Sequence, residues 1–237
     1  MVTEDITGVL KIKKPLAAAN IKLPHEDNIT PLNIAITGEC GSGKSTFVNA
    51  LRGLCDDEEG AAPTGVVETT LEVTPYPHPN YPKVTLWDLP GIKFSADKYL
   101  ERVGFEKFDF FIIISDTRFR ESDVKLVQEI QKMKKKFYFV CSKIDNDIQH
   151  ERRKRNFNEE KYLRGKREDC VQRLKDFCIE SPQVFLVSNF QLHLYDFPLL
   201  HQTLERDLPE IRRDLLLFTR PNTNQHFLSM MKKAFWF

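Results

Sequence analysis

The stretch Leu32-Asn33-Ile34-Ala35-Ile36-Thr37, running on into Gly38-Glu39-Cys40-Gly41-Ser42-Gly43-Lys44-Ser45-Thr46, decides the fold. An apolar, β-branched run stops at a glycine, and the glycine-rich loop closes in Lys-Ser where a helical pattern begins. The pattern G-x-x-x-x-G-K-S carries meaning in that setting, after a strand and opening a helix. Gly41 and Gly43 let backbone N–H groups turn inward around phosphate oxygens, where a side chain would obstruct the approach. The next helix, expected from about Thr46 to Leu54, adds the partial positive charge of its N-terminus. Gly41, Ser42, Gly43, Lys44, Ser45 and Thr46 thus form a phosphate cradle. Lys44 reaches the β- and γ-phosphates, which makes it catalytic as well as binding, and the Ser45 hydroxyl ligates Mg²⁺.

Working outward, 237 residues suffice for one α/β domain with a substantial core and appendages. A hydrophobic share of 41% and a charged share of 29% are ordinary for a soluble globular chain. The net charge of +1 recruits no nucleic acid. Five cysteines (Cys40, Cys55, Cys141, Cys170, Cys178) without a C-x-x-C pair read as reduced thiols of a cytoplasmic protein. Cys40 sits inside the phosphate loop, either oxidation-sensitive or simply a small loop residue. No apolar run is long enough for a membrane-spanning helix, there is no signal peptide, and Val2 replaces the glycine that myristoylation needs.

Residues 1–31, broken by Pro15, Pro24 and Pro31, read as an extension; Lys11, Lys13 and Lys14 suit a solvated tail better than a lipid anchor. After the first helix, the acidic and small residues Asp56 to Pro63 imply a long mobile loop. It leads to Thr64-Gly65-Val66-Val67-Glu68-Thr69-Thr70, where a nucleotide switch needs a threonine to sense Mg²⁺ and the γ-phosphate. Thr64, Thr69 and Thr70 are all candidates, with Thr70 assigned to the metal and Thr64 and Gly65 to the nucleotide; Val66 to Val73 is also strand-forming. A proline-rich turn (Pro75, Pro77, Pro79, Pro82) follows. A buried strand then delivers Asp88 of Asp88-Leu89-Pro90-Gly91 to its carboxyl end, where ligands sit in open α/β sheets. Asp88 holds Mg²⁺ through a water, and the Gly91 N–H meets the γ-phosphate.

Phe108 to Ser115 reads as a strand covered on both faces, and Glu121 to Lys134 as a helix with its stripe at Val124, Val127, Ile130 and Met133. The strand Phe137 to Cys141 ends in Ser142-Lys143-Ile144-Asp145. A carboxylate there accepts two hydrogen bonds from the guanine N1–H and amine, whereas adenine leaves it unpaired. Lys143 lies along the base and braces the phosphate loop; Ser142 stands where such motifs have Asn or Thr. Strand Val184 to Val187 presents Ser188 and Asn189 to the guanine O6 edge. The basic stretch Glu151 to Asp169 is diluted by Glu159, Glu160, Glu168 and Asp169 and reads as a solvated helix face. A last helix runs from about Phe197 to Leu208. The chain stops at Met230-Met231-Lys232-Lys233-Ala234-Phe235-Trp236-Phe237, which suits a membrane interface or a packing partner equally.

Together these motifs define a guanine-nucleotide-binding domain over residues 32–208. It is an α/β fold of the P-loop G-domain type, doubly wound, its mostly parallel sheet covered by helices on both faces. Residues 209–237 are a short helical C-terminal extension. The wording resembles the interferon-inducible, immunity-related GTPases. The resemblance rests on TGECGSGKSTFVNALRG (37–53), EEGAAPTGVVETT (58–70), PYPH (75–78), LWDLPG (86–91), Thr117-Arg118-Phe119, VFLVSN (184–189) and YDFP (195–198). Lys44 places the chain with the effector-like branch rather than the one carrying Met there. The resemblance implies GTP hydrolysis to GDP that is slow in a monomer and faster when G domains face one another. It also implies peripheral association with endomembranes and pathogen-enclosing vacuoles. Glu68 and Arg118 would act catalytically across the facing domains. Family members carry longer helical regions at both ends, so a GTP-binding module without useful turnover is the competing expectation.

Overall fold

The computed structural model describes residues 31–65, 70–92, 96–116 and 120–207. Along the chain these form β1 (Leu32–Gly38), α1 (Lys44–Arg52), β2 (Thr74–His78), β3 (Tyr81–Asp88) and α2 (Ala96–Val103). A 3₁₀ turn (Phe105–Lys107) leads to β4 (Phe110–Ser115), α3 (Glu121–Lys132), β5 (Lys136–Cys141), α4 (Ile144–Glu151), α5 (Glu159–Asp176), β6 (Val184–Leu186) and α6 (Phe197–Asp207). The six strands lie in the order β2-β3-β1-β4-β5-β6. β1 pairs parallel with β3 and β4, β4 with β5 and β5 with β6, while β2 is antiparallel to β3.

Every residue of β4 is buried, and its side chains divide by parity. Phe110, Ile112 and Ile114 pack with Phe47, Val48 and Leu51 of α1 and Phe197 and Leu200 of α6. Phe111 and Ile113 pack with Tyr99 and Leu100 of α2 and Leu126, Val127 and Ile130 of α3. Strand side chains alternate faces, so a run that is apolar at every position requires helices on both sides. The expected doubly wound sheet is therefore present. From β1 the connections leave toward β3 on one side and β4 on the other, which opens a crevice at the carboxyl end of β1. The phosphate loop begins there.

Several parts of the chain depart from the sequence reading. Of the proline-rich turn, Pro79 lies in the turn between β2 and β3 and Pro82 within β3; Pro75 and Pro77 instead lie in the edge strand β2, opposite Trp87 and Thr85. Both prolines lie two residues apart, so their missing N–H groups fall on one side, the unpaired edge, where a sheet tolerates proline. Of the strand-forming stretch Val66 to Val73, residues 66–69 lie outside the described residues and residues 70–73 carry no strand, which begins at Thr74. Helix α2 was not anticipated, although Tyr99, Leu100 and Val103 recur at helical spacing and are all buried.

The loop expected to be mobile is tied to α1. The Asn49 amide, 1% exposed, donates to Asp56 Oδ1 (2.8 Å) and the Ala62 carbonyl (2.9 Å) and accepts from the Ala62 N–H (2.7 Å). Arg52 adds a bond to the Gly60 carbonyl at 2.7 Å. The charged stretch before Asp176 forms α5, capped by Asn158, with only Cys170 and Leu174 of the helix buried. Its interleaved charges pair locally, Arg173 with Asp169 at 2.9 Å, and Arg167 reaches Asp196 at 2.6 Å.

Candidate functional site

Residues from five segments converge at the carboxyl end of the sheet on an open cavity of about 200 Å³. Its floor is the phosphate loop, which turns at Gly41 (φ 78°) and Gly43 (φ 89°), conformations that side chains disfavour. Gly43 is the residue before α1, and Lys44, Ser45 and Thr46 open the helix facing the cavity. Backbone N–H groups at that position have no partner within the helix, which makes the end receptive to anions. The Lys44 ammonium donates to the Glu39 carbonyl at 2.8 Å and so lies across the loop. Glu39 is held in turn by Ser122 Oγ at 2.5 Å and by Arg120.

Beside the loop, the Ser45 hydroxyl donates to Asp88 Oδ2 at 2.6 Å, and the Thr70 hydroxyl donates to the same oxygen at 2.9 Å. The two hydroxyls are 3.1 Å apart. Asp88 is 1% exposed, and its other oxygen, Oδ1, has no hydrogen-bond partner. Burial pushes its carboxyl pKa up, against the opposing pull of Ser45, Thr70 and then Lys44. Three hard oxygen donors crowded together, one carboxylate oxygen unsatisfied, are what a small divalent cation requires. Of the candidate switch threonines, Thr70 joins this cluster, Thr64 lines the cavity with Gly65, and Thr69 lies outside the described residues.

Gly91 closes the same wall. A Cβ there would stand 2.9 Å from the N, Cα and Cβ of Cys40, so the turn after β3 touches the phosphate loop directly. That turn is held by the Leu89 N–H to the Ile36 carbonyl (3.0 Å) and the Ile92 N–H to the Gly38 carbonyl (3.3 Å). Tyr99 was not foreseen here: its hydroxyl donates to the Pro90 carbonyl (2.9 Å) and meets Thr37 Oγ1 at 2.9 Å. It braces β1 against the turn from helix α2.

At the other end, Lys143 adopts φ 59° immediately before α4, and its ammonium donates to the Gly41 carbonyl at 2.6 Å. The expected brace on the phosphate loop is thus formed. Ser142 keeps a role for its hydroxyl, donating to the Ser42 carbonyl at 2.6 Å. Asp145 lines the cavity from the first turn of α4. Asn189 also lines it; its Nδ2 donates to the Gly43 carbonyl at 3.1 Å while its buried Oδ1 has no hydrogen-bond partner. Ser42 and Ser188, at 1% and 0% exposure, are set behind the wall and are not among its lining residues. Ser188 Oγ instead accepts the N–H groups of Phe190 and Gln191, shaping the turn that aims Asn189. Cys40, already placed inside the phosphate loop, lines the cavity, and Asn146 and Phe190 line it unforeseen, each next to a motif residue; Phe190 is 75% exposed. Glu68 and Arg118 lie outside the described residues.

A family model described as interferon-inducible GTPase matches residues 11–236. Interferon-gamma-inducible GTPase 10 of Mus musculus is 42% identical over 95% of this chain and 56% of its own length. Interferon-inducible GTPase 5 of Bos taurus is 46% identical over 92% of this chain and 48% of its own. The chain thus spans about half the length of these curated relatives. Among solved structures, a variant of Era from Aquifex aeolicus bound to GDP·AlF₄⁻ superposes with a TM-score of 0.52 at 21% identity. The match covers 75% of this chain and 57% of that one, a likeness of fold.

Proposed function

The chain belongs to the interferon-inducible GTPase family, and from that premise we propose that it binds GTP with Mg²⁺ in this cleft and hydrolyses it to GDP and phosphate. The observation that carries the reading is the meeting of Ser45 and Thr70 on one oxygen of Asp88. It joins the phosphate loop, the switch segment and the Asp88-Leu89-Pro90-Gly91 turn at a single point. Ser45, Thr70 and Asp88 would hold Mg²⁺, which when bound supplies positive charge to the β- and γ-phosphates. The loop N–H groups and Lys44 receive the phosphates, so charge that builds on them in the transition state meets fixed donors. At the far end Asp145 reads the guanine N1–H and amine, and Lys143 and Asn189 hold the base-reading turns against the loop.

Hydrolysis also needs an attacking water to be oriented. Position 92, just after Gly91, is Ile92, which packs on the core beside α2 and can offer a water no hydrogen bond. Turnover in an isolated chain is accordingly slow, and the family resemblance supplies Glu68 and Arg118 as groups acting across paired G domains. Self-association through the G domain and peripheral attachment to endomembranes belong to the same reading. No helix among the described residues is long and apolar enough to cross a membrane. The second reading, a nucleotide-binding module without useful turnover, is favoured by Ile92 alone. Calorimetry of GTP and GDP with and without Mg²⁺, paired with a concentration series of turnover, tests both. Saturable Mg²⁺-dependent binding with turnover per molecule that rises with concentration supports the first reading. Binding with flat, negligible turnover supports the second, and absence of binding overturns both.

A further inference from the structure

On the opposite flank of β5 lies a chemistry that nucleotide binding does not use. Cys141 ends β5 and Cys170 projects from α5, and their sulfurs are 3.5 Å apart. Both are buried, at 2% and 4% exposure, whereas Cys40, Cys55 and Cys178 are exposed. A cavity of about 790 Å³ is lined by both cysteines, and among others by Phe157, Tyr162, Lys166 and Arg173. We propose that Cys141 and Cys170 are a peroxide-reactive thiol pair whose closure to a disulfide weakens guanine-nucleotide binding in the adjoining cleft, an effect that rests on the function proposed above.

The two thiols are unequal. Cys170 is held below the usual thiol range, first by its hydrogen bond with Cys141 and further by Lys166 and Arg173, against burial and Asp169. Cys141 is raised by the same hydrogen bond and by its burial. The thiolate is the reactive form, so Cys170 is the attacking sulfur and Cys141 the resolving one. The Cys170 thiolate attacks one oxygen of the peroxide, the O–O bond breaks, and hydroxide leaves to take up a proton as water. Cys170 is then a sulfenic acid. The Cys141 sulfur attacks it as its proton departs, the S–S bond forms, the S–O bond breaks and a second water leaves. Two thiols are oxidised and one peroxide is reduced to two waters.

Closure draws the sulfurs from 3.5 Å to a bond of about 2.05 Å, an approach of roughly 1.5 Å. Movement of β5 acts on Ser142, the next residue, whose hydroxyl holds the Ser42 carbonyl at 2.6 Å. Movement of α5 acts on Asp147 of α4, which Lys166 and the Tyr162 hydroxyl (3.1 Å) both grip. Asp147 lies two residues past Asp145, so either displacement is delivered to the nucleotide cleft. Loss of one such hydrogen bond corresponds to an affinity about two- to tenfold weaker.

The test treats the full chain with hydrogen peroxide, quenches free thiols with iodoacetamide and maps tryptic peptides without reduction. Expected is a species joining residues 137–143 to 168–173, two hydrogens lighter than its parts. GDP affinity should fall about two- to tenfold and return with dithiothreitol. The Cys170→Ser variant should keep, through peroxide, the affinity it had before. The proposal is overturned if the pair remains reduced while Cys40, Cys55 and Cys178 react. It is equally overturned if the linked species binds GDP as the reduced chain does, or if Cys170→Ser loses affinity to the same degree. A reduced chain that binds no GDP overturns the function itself, a result the peptide map separates from failure of the thiol pair.

Discussion

Replacing Gly91 by alanine tests how the Asp88-Leu89-Pro90-Gly91 turn reports on the phosphate loop. Gly91 is not among the glycines at positive φ, so alanine meets no backbone penalty there and acts through space alone. The added Cβ would lie 2.9 Å from the N, Cα and Cβ of Cys40, well inside contact distance. Overpacking by one methyl costs about 1–3 kcal/mol where neighbours cannot yield. The turn is fixed by Leu89, Ile92 and Tyr99 through bonds of 3.0, 3.3 and 2.9 Å, while Cys40 is exposed on the loop. The loop therefore gives way, and the cost falls on the nucleotide-bound form. At about 1.4 kcal/mol per tenfold, GDP affinity should fall by about five- to a hundredfold. Urea unfolding of the free chain should move little, since a loop shift removes no buried apolar contact. Adding Cys40→Gly removes only the Cβ contact and should restore part of the loss. Fluorescent-GDP titration beside urea melts provides the assay. Affinity within about twofold of the parent, or a loss matched by the same loss of stability, would refute the reasoning.

Four further outcomes are expected. Lys44→Ala removes the ammonium that lies across the loop; GTP affinity by calorimetry should fall at least tenfold, as for loss of a charged hydrogen bond worth about 1.5–3 kcal/mol. Asp145→Asn should shift preference from GTP toward xanthosine triphosphate in competition, because an amide cannot accept both guanine protons; an unchanged preference would count against Asp145 as base reader. Turnover per molecule should rise with protein concentration, and Glu68→Ala should abolish the rise while sparing GTP binding; a flat profile in the parent would remove the pairing mechanism. His78 provides a pH dependence: its Nε2–H donates to the Leu51 carbonyl at 3.0 Å, Nδ1 accepts from the Asn80 N–H at 3.2 Å, and burial lowers its pKa to about 4. A histidine pKa lowered by folding contributes stability that is complete above the unfolded value near 6.5 and is lost as pH falls toward 4. The contribution is about 3 kcal/mol, and the difference in urea midpoint between the parent and His78→Gln should shrink over that window.

What the chain determines by itself is the set of local features whose chemistry is contiguous in sequence. Gly43-Lys44-Ser45 between an apolar run and a helix can be read because strand, loop and helix signals are adjacent. Phe110 to Ile114 announces a parallel strand because being apolar at every position satisfies only a doubly covered one. Asp145 is legible as a cavity carboxylate because it follows directly on a buried strand whose carboxyl end opens to the cleft. The tertiary structure decided matters that depend on pairing. Whether Pro75 and Pro77 interrupt a strand or line its edge depends on which side meets β3, and no local propensity carries that. Among the switch threonines, only the fold brings Thr70 within 2.9 Å of Asp88, across 18 positions of sequence. Ser42 and Ser188 belong to the motifs yet are buried and do not line the cavity, because packing, not motif membership, decides which side chains a cleft exposes. Tyr99 and the Cys141–Cys170 pair join segments 62 and 29 residues apart. Contacts of that reach arise when two helices bury their apolar faces on one sheet, so they are properties of the packed molecule and of no stretch within it.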